Sequence, residues 1–407
     1  MDLIVQKYGG TSVGTTEKIK HIAKNISKKS KLGKSIVIVV SAMAGETDRL
    51  DKIARKISGI PNEKEYDQVI SAGEKISAGL LSIALIEKNV KAISLDPSKF
   101  NLLTDDLHSK AKILSVGTKK IKELLRKGYV VVIPGFQGIN SKGDVTTLGR
   151  GGSDLTAVAL ASALNASHCE LLKDDVDGIY TTDPKLYKAA KKINYISYPE
   201  MLEMSSLGSK VLQAKAVEYA NNLKVKLYVK STTKTLNKGT WVMEEKKIPI
   251  KEKKIITGIT HDLKQSKITV SGIEDVPGVA SKIFKPIGAA GIVVDMIVQN
   301  ISTNNKTDLT FTVPKDDLNK TVKILKTKSA KINYKEIIEN KDIALISIVG
   351  AGMKTHTGVA TRMFDALSKS KINITMISTS EIKISCVIDQ RKCKKAIESL
   401  HKEFKLG

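Results

Sequence analysis

The chain reads as an α/β protein built on a mostly parallel central sheet, followed by two small ferredoxin-like modules. Three observations predict this. Short, almost continuously apolar strand patterns alternate with helical patterns from residue 3 to residue 230, the mark of parallel strands covered on both faces. The texture then turns polar and charged over 231–254. Beyond it a strand–helix–strand–strand–helix–strand pattern, βαββαβ, is read twice, with a period of about 80 residues.

Each element follows in order. Residues 3–10, LIVQKYGG, read as a short strand ending in a glycine turn. Residues 35–45, SIVIVVSAMAG, repeat that plan, with a helix from 17 to 30 between them. Residues 65–89 carry helical periodicity. Further strands are read at 90–95, 129–135, 168–173 and 224–230. The polar segment that follows holds at most a short strand around Trp241. In the first repeat copy, a strand at 267–271 leads into DVPGVASKIFKPIGAAGI as turn and helix. The strands VVDMIVQN and TDLTFTV follow, then a helix beginning near Asp316. In the second copy, a strand at 344–349 leads into THTGVATRMFDALSKSKI. The strands NITMIST and KISCVID follow, then a helix from Arg391.

Composition sets bounds. A chain of 407 residues, 41% hydrophobic, suffices for two or three domains. The longest apolar runs, IVIVV at 36–40 and VVVI at 130–133, are strand-sized, and no stretch is expected to reach the roughly 18 apolar residues of a membrane helix. The N-terminus enters a strand pattern directly, without the features of a signal peptide. A cytoplasmic protein with no membrane partner is expected. Cys169, Cys386 and Cys393 show no CxxC spacing, so they read as buried reduced thiols. The net charge of +25 invites a nucleic-acid reading. However, only six of the 67 basic residues are arginine, and aromatics are 4%. Arginine forks and stacking rings are the usual tools of such binding. The lysines are spread along the chain and read as solvated faces, with no specific nucleic-acid partner.

No Walker loop, HExxH or GxSxG occurs. GAGMKTHTG at 350–358 begins like a dinucleotide fingerprint but has Thr355 at the third glycine position. Four turns remain, each at the carboxyl end of a strand, where open α/β sheets bind ligands. In KYGGTSVG, 7–14, glycines let backbone N–H groups approach phosphate oxygens, and Lys7 offers a mobile cation. The alternative is a strand-ending turn with a surface lysine. SAMAGETDRL, 41–50, reads as a second small-residue turn, with Thr47 or Asp48 starting a helix. In TLGRGGSDLTAVALA, 147–161, Arg150 can hold a carboxylate bidentately, and Ser153 reads as a helix N-cap. Asp154 suits the helix dipole but repels any anion seated there. Its presence therefore implies lysines or a metal that it holds in place; the plainer reading is a tight turn and a capped helix. In DDVDGIYTTDPK, 174–185, the acids can face solvent, form turns or bind a ribose. Lys210 falls in the first turn of the next helix, where a cation opposes the dipole and so calls for an anion.

Taken together, KYGGTSVG, TLGRGGSDLTAVALA, VDGIYTTDPK and GSKVL resemble the aspartate kinases of the amino acid kinase family. The repeat, with PGVA, DMIVQN and ISTSEIKIS, resembles the tandem ACT domains of that family. The resemblance covers essentially the whole chain and matches the monofunctional form. It implies an αβα sandwich over 1–232, a connecting segment over 233–262, and ACT domains over 263–340 and 341–407. It implies ATP-dependent phosphorylation of the aspartate side-chain carboxylate, with magnesium carried by ATP and no metal held by the protein. Lys7 and Lys210 are implied as the lysines that neutralise the phosphoryl group and phosphate chain, with Asp154 orienting them. Tyr8, Gly9, Gly10 and Ser41 are implied nucleotide contacts. So are Asp174, Asp175, Tyr180, Thr181, Thr182, Asp183, Pro184 and Lys185 around the adenosine. Many family members carry Tyr or Trp, then Ser/Thr-Asp-Val, before the glycine there; this chain has Leu172-Lys173-Asp174-Asp175-Val176. Substrate contacts are implied at Gly45, Glu46, Thr47, Asp48, Arg49, Gly151, Gly152 and Ser153. Glu74 is implied to hold the α-amino group and Arg150 to clamp a carboxylate.

An effector pocket is implied at Asp275, Pro277, Gly278, Val279, Ala280, Ile292, Val293, Val294, Asp295 and Gln299. Asn373, Ile374 and Ser380 complete it across a subunit interface of a homo-oligomer. Lysine and threonine are the implied effectors. The tandem repeat and 150–154 weigh against kinases of glutamate, carbamate or nucleotides. Lys7, Asp154 and Lys210 weigh against a catalytically silent sensor.

Overall fold

The computed structural model describes residues 2–174, 176–207, 211–233, 238–300, 305–327 and 333–407. Two of the expected site residues, Asp175 and Lys210, lie outside the described residues. The chain divides into two compact units: residues up to 179 with 192–205 and 211–253, and residues 180–191 with 254–407.

The first unit begins with β1 (Leu3–Tyr8), α1 (Thr16–Lys31), β2 (Ser35–Val40), α2 (Glu46–Ile57) and α3 (Glu63–Ile86). There follow β3 (Ala92–Ser94), β4 (Leu102–Thr104), β5 (Ile113–Val116), α4 (Lys119–Arg126), β6 (Val130–Pro134), β7 (Gln137–Ile139) and β8 (Val145–Thr147). It closes with α5 (Gly152–Ala163), β9 (His168–Lys173), β10 (Tyr195–Ser197), α6 (Tyr198–Ser206), α7 (Ala214–Asn222), β11 (Leu227–Ser231) and β12 (Thr240–Met243). Eight strands form one sheet in the order β10-β12-β11-β9-β1-β2-β6-β3. Its neighbouring pairs run parallel apart from β11 with β12. A small sheet, β5-β4-β7-β8, stands beside it.

The apolar runs explain this layering. All six residues of β1 are buried, which requires cover on both faces. Ile4 and Tyr8 join Ile19, Ile22, Ile26, Leu81 and Leu85 in the core under α1 and α3. The alternate side chains of β1 face the other way, toward α5. α5 has the burial expected of a helix apolar on every side: Ala157, Val158, Leu160 and Ala161 are all at or near zero exposure. At the polar end of the scale, α1 is capped by the Thr15 hydroxyl, which accepts from the Lys18 N–H, and carries Lys28, Lys29 and Lys31 in its last turn.

α3 corrects one expectation. Its length and composition reach those of a membrane span, although half of that stretch is buried inside the protein. Small residues let a helix be apolar on average without any long run of large side chains. Asp67 and Glu74 lie on its buried face.

The second unit comprises β13 (Gly258–Asp262), β14 (Gln265–Glu274), α8 (Val279–Ala289), β15 (Ile297–Gln299), β16 (Lys306–Pro314), α9 (Leu318–Lys326) and β17 (Glu336–Asn340). It continues with β18 (Ile343–Val349), α10 (Val359–Lys369), β19 (Met376–Thr379), β20 (Lys383–Asp389) and α11 (Cys393–Glu403). The first copy completes its own sheet, β15-β16-β14-β17. The second, expected to end in a strand of its own, ends at α11. Its fourth strand is β13, from upstream of both copies, paired antiparallel with β18 so that Gly258 faces Val349. The repeat is visible in burial: Ile292 and Met296 are buried in one copy, Ile372 and Met376 at the matching places in the other. The three cysteines are buried and free.

Candidate active site

Strand parity aims Lys7. Two residues after Val5, it points to the α5 side of the sheet, and its Nζ lies 2.6 Å from Asp154 Oδ1, with side chains only 8% and 3% exposed. Asp154 reaches that point because α5 starts immediately before it. Gly151 is the N-cap, left-handed at φ 80, and Gly149 is left-handed at φ 71. The N–H groups of Gly152 and Asp154 turn back to the carbonyls of Gly149 and Gly151, each at 3.0 Å. Ser153 is thus the second residue of the helix and not its cap as expected. The turn is closed by glycines that tolerate positive φ, so no capping side chain is used. Likewise α2 starts at Glu46 behind Gly45 at φ 80, and not at Thr47 or Asp48.

A cavity of about 870 Å³ opens over this pair, within the first unit. Lys7, Gly10, Ser41, Glu74, Arg150 and Asp154 line it, as do Gly45, Thr47, Asp48 and 151–153. The two strand-ending turns are zipped together beneath it: the Ser41 N–H donates to the Tyr8 carbonyl and the Ala44 N–H to the Gly10 carbonyl, both at 3.1 Å. A Cβ on Gly10 would stand 2.7 Å from the Ala42 carbonyl oxygen, so only glycine permits that approach. Gly73 plays the same part in α3, where a Cβ would stand 2.8 Å from that of Ala42.

Glu74 is 3% exposed, and its Oε2 has no hydrogen-bond partner among the described residues. Burial pushes its carboxyl up to about 7, against the Ala42 N–H, its own backbone and Lys7, which pull it down. A buried acid at the wall of a cavity, with one oxygen unspent, is built to receive a cation or a donor.

Asp154 is the opposite case. Burial opposes its ionisation, yet Lys7 and Lys173 outweigh that and hold its carboxyl below the usual range. Lys173 lies 3.8 Å from Asp154 Oδ2 and lines the same cavity. The sequence reading had not included it.

Asp67 was also missed. It is fully buried and accepts from the Thr147 N–H (3.0 Å) and hydroxyl (2.6 Å). It accepts as well from the Ser109 N–H at 3.0 Å and hydroxyl at 3.3 Å, and lies 2.9 Å from His108 Nδ1. Thr147 and Ser109 both line the cavity. Ser109 at φ 62 and Phe136 at φ 69, another lining residue, hold left-handed conformations that cost non-glycine residues energy. A lone acid inside a helical pattern carried no sequence signal for this role.

Other expected residues are placed differently. The Tyr8 ring sits in the core on the opposite face, with its hydroxyl 3.3 Å from Gln6 Oε1. Gly9 donates its N–H to the Leu172 carbonyl. Glu46 and Arg49, in the first turn of α2, form an ion pair at 2.7 Å. Asp174 pairs with Lys18 at 2.6 Å and accepts from the Thr232 hydroxyl. Residues 180–185 group with the second unit, where the Thr181 hydroxyl lies 2.9 Å from His401 Nε2. Asp183 accepts from the Lys185 N–H at 2.8 Å. Of the expected effector residues, Asp275, Pro277 and Gly278 are exposed ahead of α8, Val279 and Ile292 are buried, and Val293 is 70% exposed. Asp295, Gln299, Asn373 and Ser380 are exposed.

Residues 2–231 match the amino acid kinase family, and residues 268–328 and 346–404 match the ACT domain. The chain is 48% identical over 406 residues to an aspartate kinase of Stutzerimonas stutzeri, covering 100% of this chain and 98% of the relative. Among solved structures, E. coli aspartokinase III in complex with aspartate and ADP superposes with a TM-score of 0.75 at 25% identity, covering 99% of this chain and 100% of that one. The same enzyme in complex with lysine and aspartate gives a TM-score of 0.78 at 25% identity, over the same shares.

Proposed function

This chain belongs to the amino acid kinase family, among its aspartate kinases, and on that premise we propose that the cavity around Lys7 and Asp154 is where ATP phosphorylates L-aspartate. The reaction gives 4-phospho-L-aspartate and ADP. A side-chain carboxylate oxygen of aspartate attacks the γ-phosphorus of ATP. The bond from that phosphorus to the β–γ bridging oxygen breaks, and its electron pair leaves on ADP. The nucleophile is already ionised at neutral pH, so the protein need not remove a proton. Its work is positioning and neutralisation of negative charge.

The observation that carries this reading is the buried Lys7–Asp154 ion pair at the wall of the cavity. The pair presents an ammonium whose position is fixed before substrate arrives, so little reorganisation remains for the transition state. Gly10 and Ser41, at two strand ends, take the phosphate side. Glu74 takes the α-ammonium of aspartate, which meets its unspent oxygen. Arg150, exposed beside the left-handed Gly149 and Gly151, takes a carboxylate. Magnesium carried by ATP would supply further neutralisation of the phosphate charge. Asp154 does not suit a metal, because both its oxygens face lysines.

The ACT region makes this an amino-acid-regulated enzyme of a biosynthetic route. We place the effector at the start of α8 and along 292–295, with 373–374 and 380 completing the pocket from a second copy of the chain. Support comes from Gly278, a left-handed N-cap at φ 90 with no capping side chain, so that no side chain occupies the positive end of α8 where a carboxylate would sit. The deciding experiment is turnover with ATP, magnesium and L-aspartate, trapping the acyl phosphate with hydroxylamine. Product from aspartate is expected; product from glutamate and none from aspartate would overturn the reading. Repeating it with lysine, threonine and both identifies the effectors.

A further inference from the structure

The chain leaves the first unit after Ile179 and re-enters it at Lys192, and the stretch 180–191 groups with the second. This stretch starts close to the cavity. Lys173, the last residue of β9, lines the cavity, and the Gly9 N–H ties the turn after β1 to the Leu172 carbonyl. The carboxyl ends of β1 and β9 thus lie side by side, at the sheet edge where such folds seat their ligands. The chain after β9 sets out from that edge, next to the turn in which Gly10 takes the phosphate side.

The root of the stretch is fixed. The Ile179 N–H donates to the buried Thr240 hydroxyl at 2.8 Å, and that hydroxyl donates to the Ile193 carbonyl at 2.6 Å. The Ile193 N–H returns to the Ile179 carbonyl at 2.8 Å. The far part is held as well. Thr181 is 1% exposed, and its carbonyl accepts from the Ile259 N–H of β13 at 2.7 Å. Its hydroxyl accepts from the Lys191 N–H at 3.0 Å and stands 2.9 Å from Nε2 of His401, a residue of α11 that is itself 1% exposed. Leu186 and Tyr187 pack against the core of the second ACT module, and the Tyr187 ring is centred 4.6 Å from the His401 imidazole. His401 therefore meets the stretch twice, at Thr181 by a hydrogen bond and at Tyr187 by ring packing. Removing the imidazole would open a void beside Tyr187 and take one of the two polar contacts from the Thr181 hydroxyl.

A chain held at both ends has the conformation between them set by both holds. From this geometry we infer that His401 is a positioning residue for ATP. It touches no substrate. It fixes 180–191, and through that stretch the chain between β9 and Ile179 at the nucleotide edge of the sheet. ATP affinity thereby depends on a helix of the second ACT module, beyond the residues that match the kinase family. The inference rests on the reading of the Lys7–Asp154 cavity as the site of transfer, and the test separates the two.

Full-length wild type, His401→Ala, His401→Gln, Tyr187→Ala and the double variant of His401→Ala with Tyr187→Ala are compared in the hydroxylamine assay, with melting temperatures taken in parallel. His401→Ala is expected to raise the KM for ATP about tenfold, with kcat and the KM for aspartate within about threefold of wild type. Affinity for ADP, read by titration calorimetry without turnover, should weaken by a similar factor. His401→Gln, whose amide can bond the Thr181 hydroxyl, should recover part of the loss. Tyr187→Ala should also raise the KM for ATP. The double variant should fall short of the product of the two single effects, because both release the same stretch. A KM for ATP in His401→Ala within about threefold of wild type overturns the inference. So does an equal rise in the KM for aspartate, which would mark a general loosening of the fold. If His401→Ala fails to fold, Tyr187→Ala carries the same test. A wild type that gives no hydroxamate from aspartate overturns the reading of the site, while ADP calorimetry still decides the role of His401.

Discussion

Lys7 Nζ and Asp154 Oδ1 meet at 2.6 Å, the lysine from the end of a strand and the acid from the first turn of a helix packed on that strand. The pair explains an acid that otherwise makes little sense where an anion is to bind. Asp154 stands at the positive end of α5, between two lysines, which keeps it ionised despite burial. It offsets part of the lysine charge while no phosphate is bound and fixes where the ammonium groups lie.

Asp154→Asn tests that account. The amide keeps the shape but removes the anchor, so Lys7 and Lys173 repel each other across a largely buried space. We expect kcat to fall by about 100-fold or more, with a smaller change in KM for aspartate. Steady-state rates of hydroxamate formation measure it. A variant within about threefold of wild type would show that the lysines are held by something else.

The Glu74 carboxyl, raised to about 7 by burial, predicts a pH dependence. Between its ordinary value of 4.5 and about 7, the folded protein holds a proton here that the unfolded chain has lost. Stability of the ligand-free protein therefore falls as pH rises through that window. Binding runs the other way. The α-ammonium of aspartate needs the ionised acid, so affinity should rise about tenfold per unit as pH rises toward 7 and then level off. Titration calorimetry in two buffers of different ionisation heat should record a proton released on binding below that point. Glu74→Gln should abolish both the release and the slope.

Asp67 gathers five donors, from His108 and Ser109 and from Thr147 at the end of β8, and Ser109 and Thr147 line the cavity. Replacing it by Asn leaves several of them facing an amide that offers one acceptor. We expect Asp67→Asn to cost about 2–4 kcal/mol of stability, as breaking a buried, hydrogen-bonded acid does. Because Ser109 and Thr147 flank the turn that carries Arg150, the KM for aspartate should rise as well. Urea denaturation and aspartate saturation curves measure the two effects. An unchanged KM with lowered stability would confine Asp67 to holding the fold.

Much of the site was legible because glycine turns and lone charges at strand ends are costly unless used. Lys7, Gly10, Ser41, Arg150 and Asp154 fall on three such turns, and the structure brings them to one cavity. Helix starts were read less well. Ser153 and Thr47 are good capping residues in isolation, but Gly151 and Gly45 take the left-handed turn first. Tyr8 stands directly before the glycines of a phosphate-type turn in sequence, yet strand parity turns its ring into the opposite core. The strand that completes the second ACT sheet, β13, lies in a stretch read as a connecting segment, since nothing local says which distant strand it will pair with.

By itself, the sequence determined the order of strands and helices, the twofold repeat and the turns on which function depends. These follow from local apolar periodicity and from backbone conformations open only to glycine. Tertiary structure alone decided which charges meet. Lys173 is one of 61 lysines in composition, the 67 basic residues less six arginines. Only the parallel register of β1 with β9 puts it on the Lys7 face, beside Asp154. Asp67 is an acid on a helix until α3 packs against β8 and the 108–109 turn, which supply its donors. Electrostatic partnership depends on distance and burial, and across separate elements both are set by packing rather than by spacing along the chain.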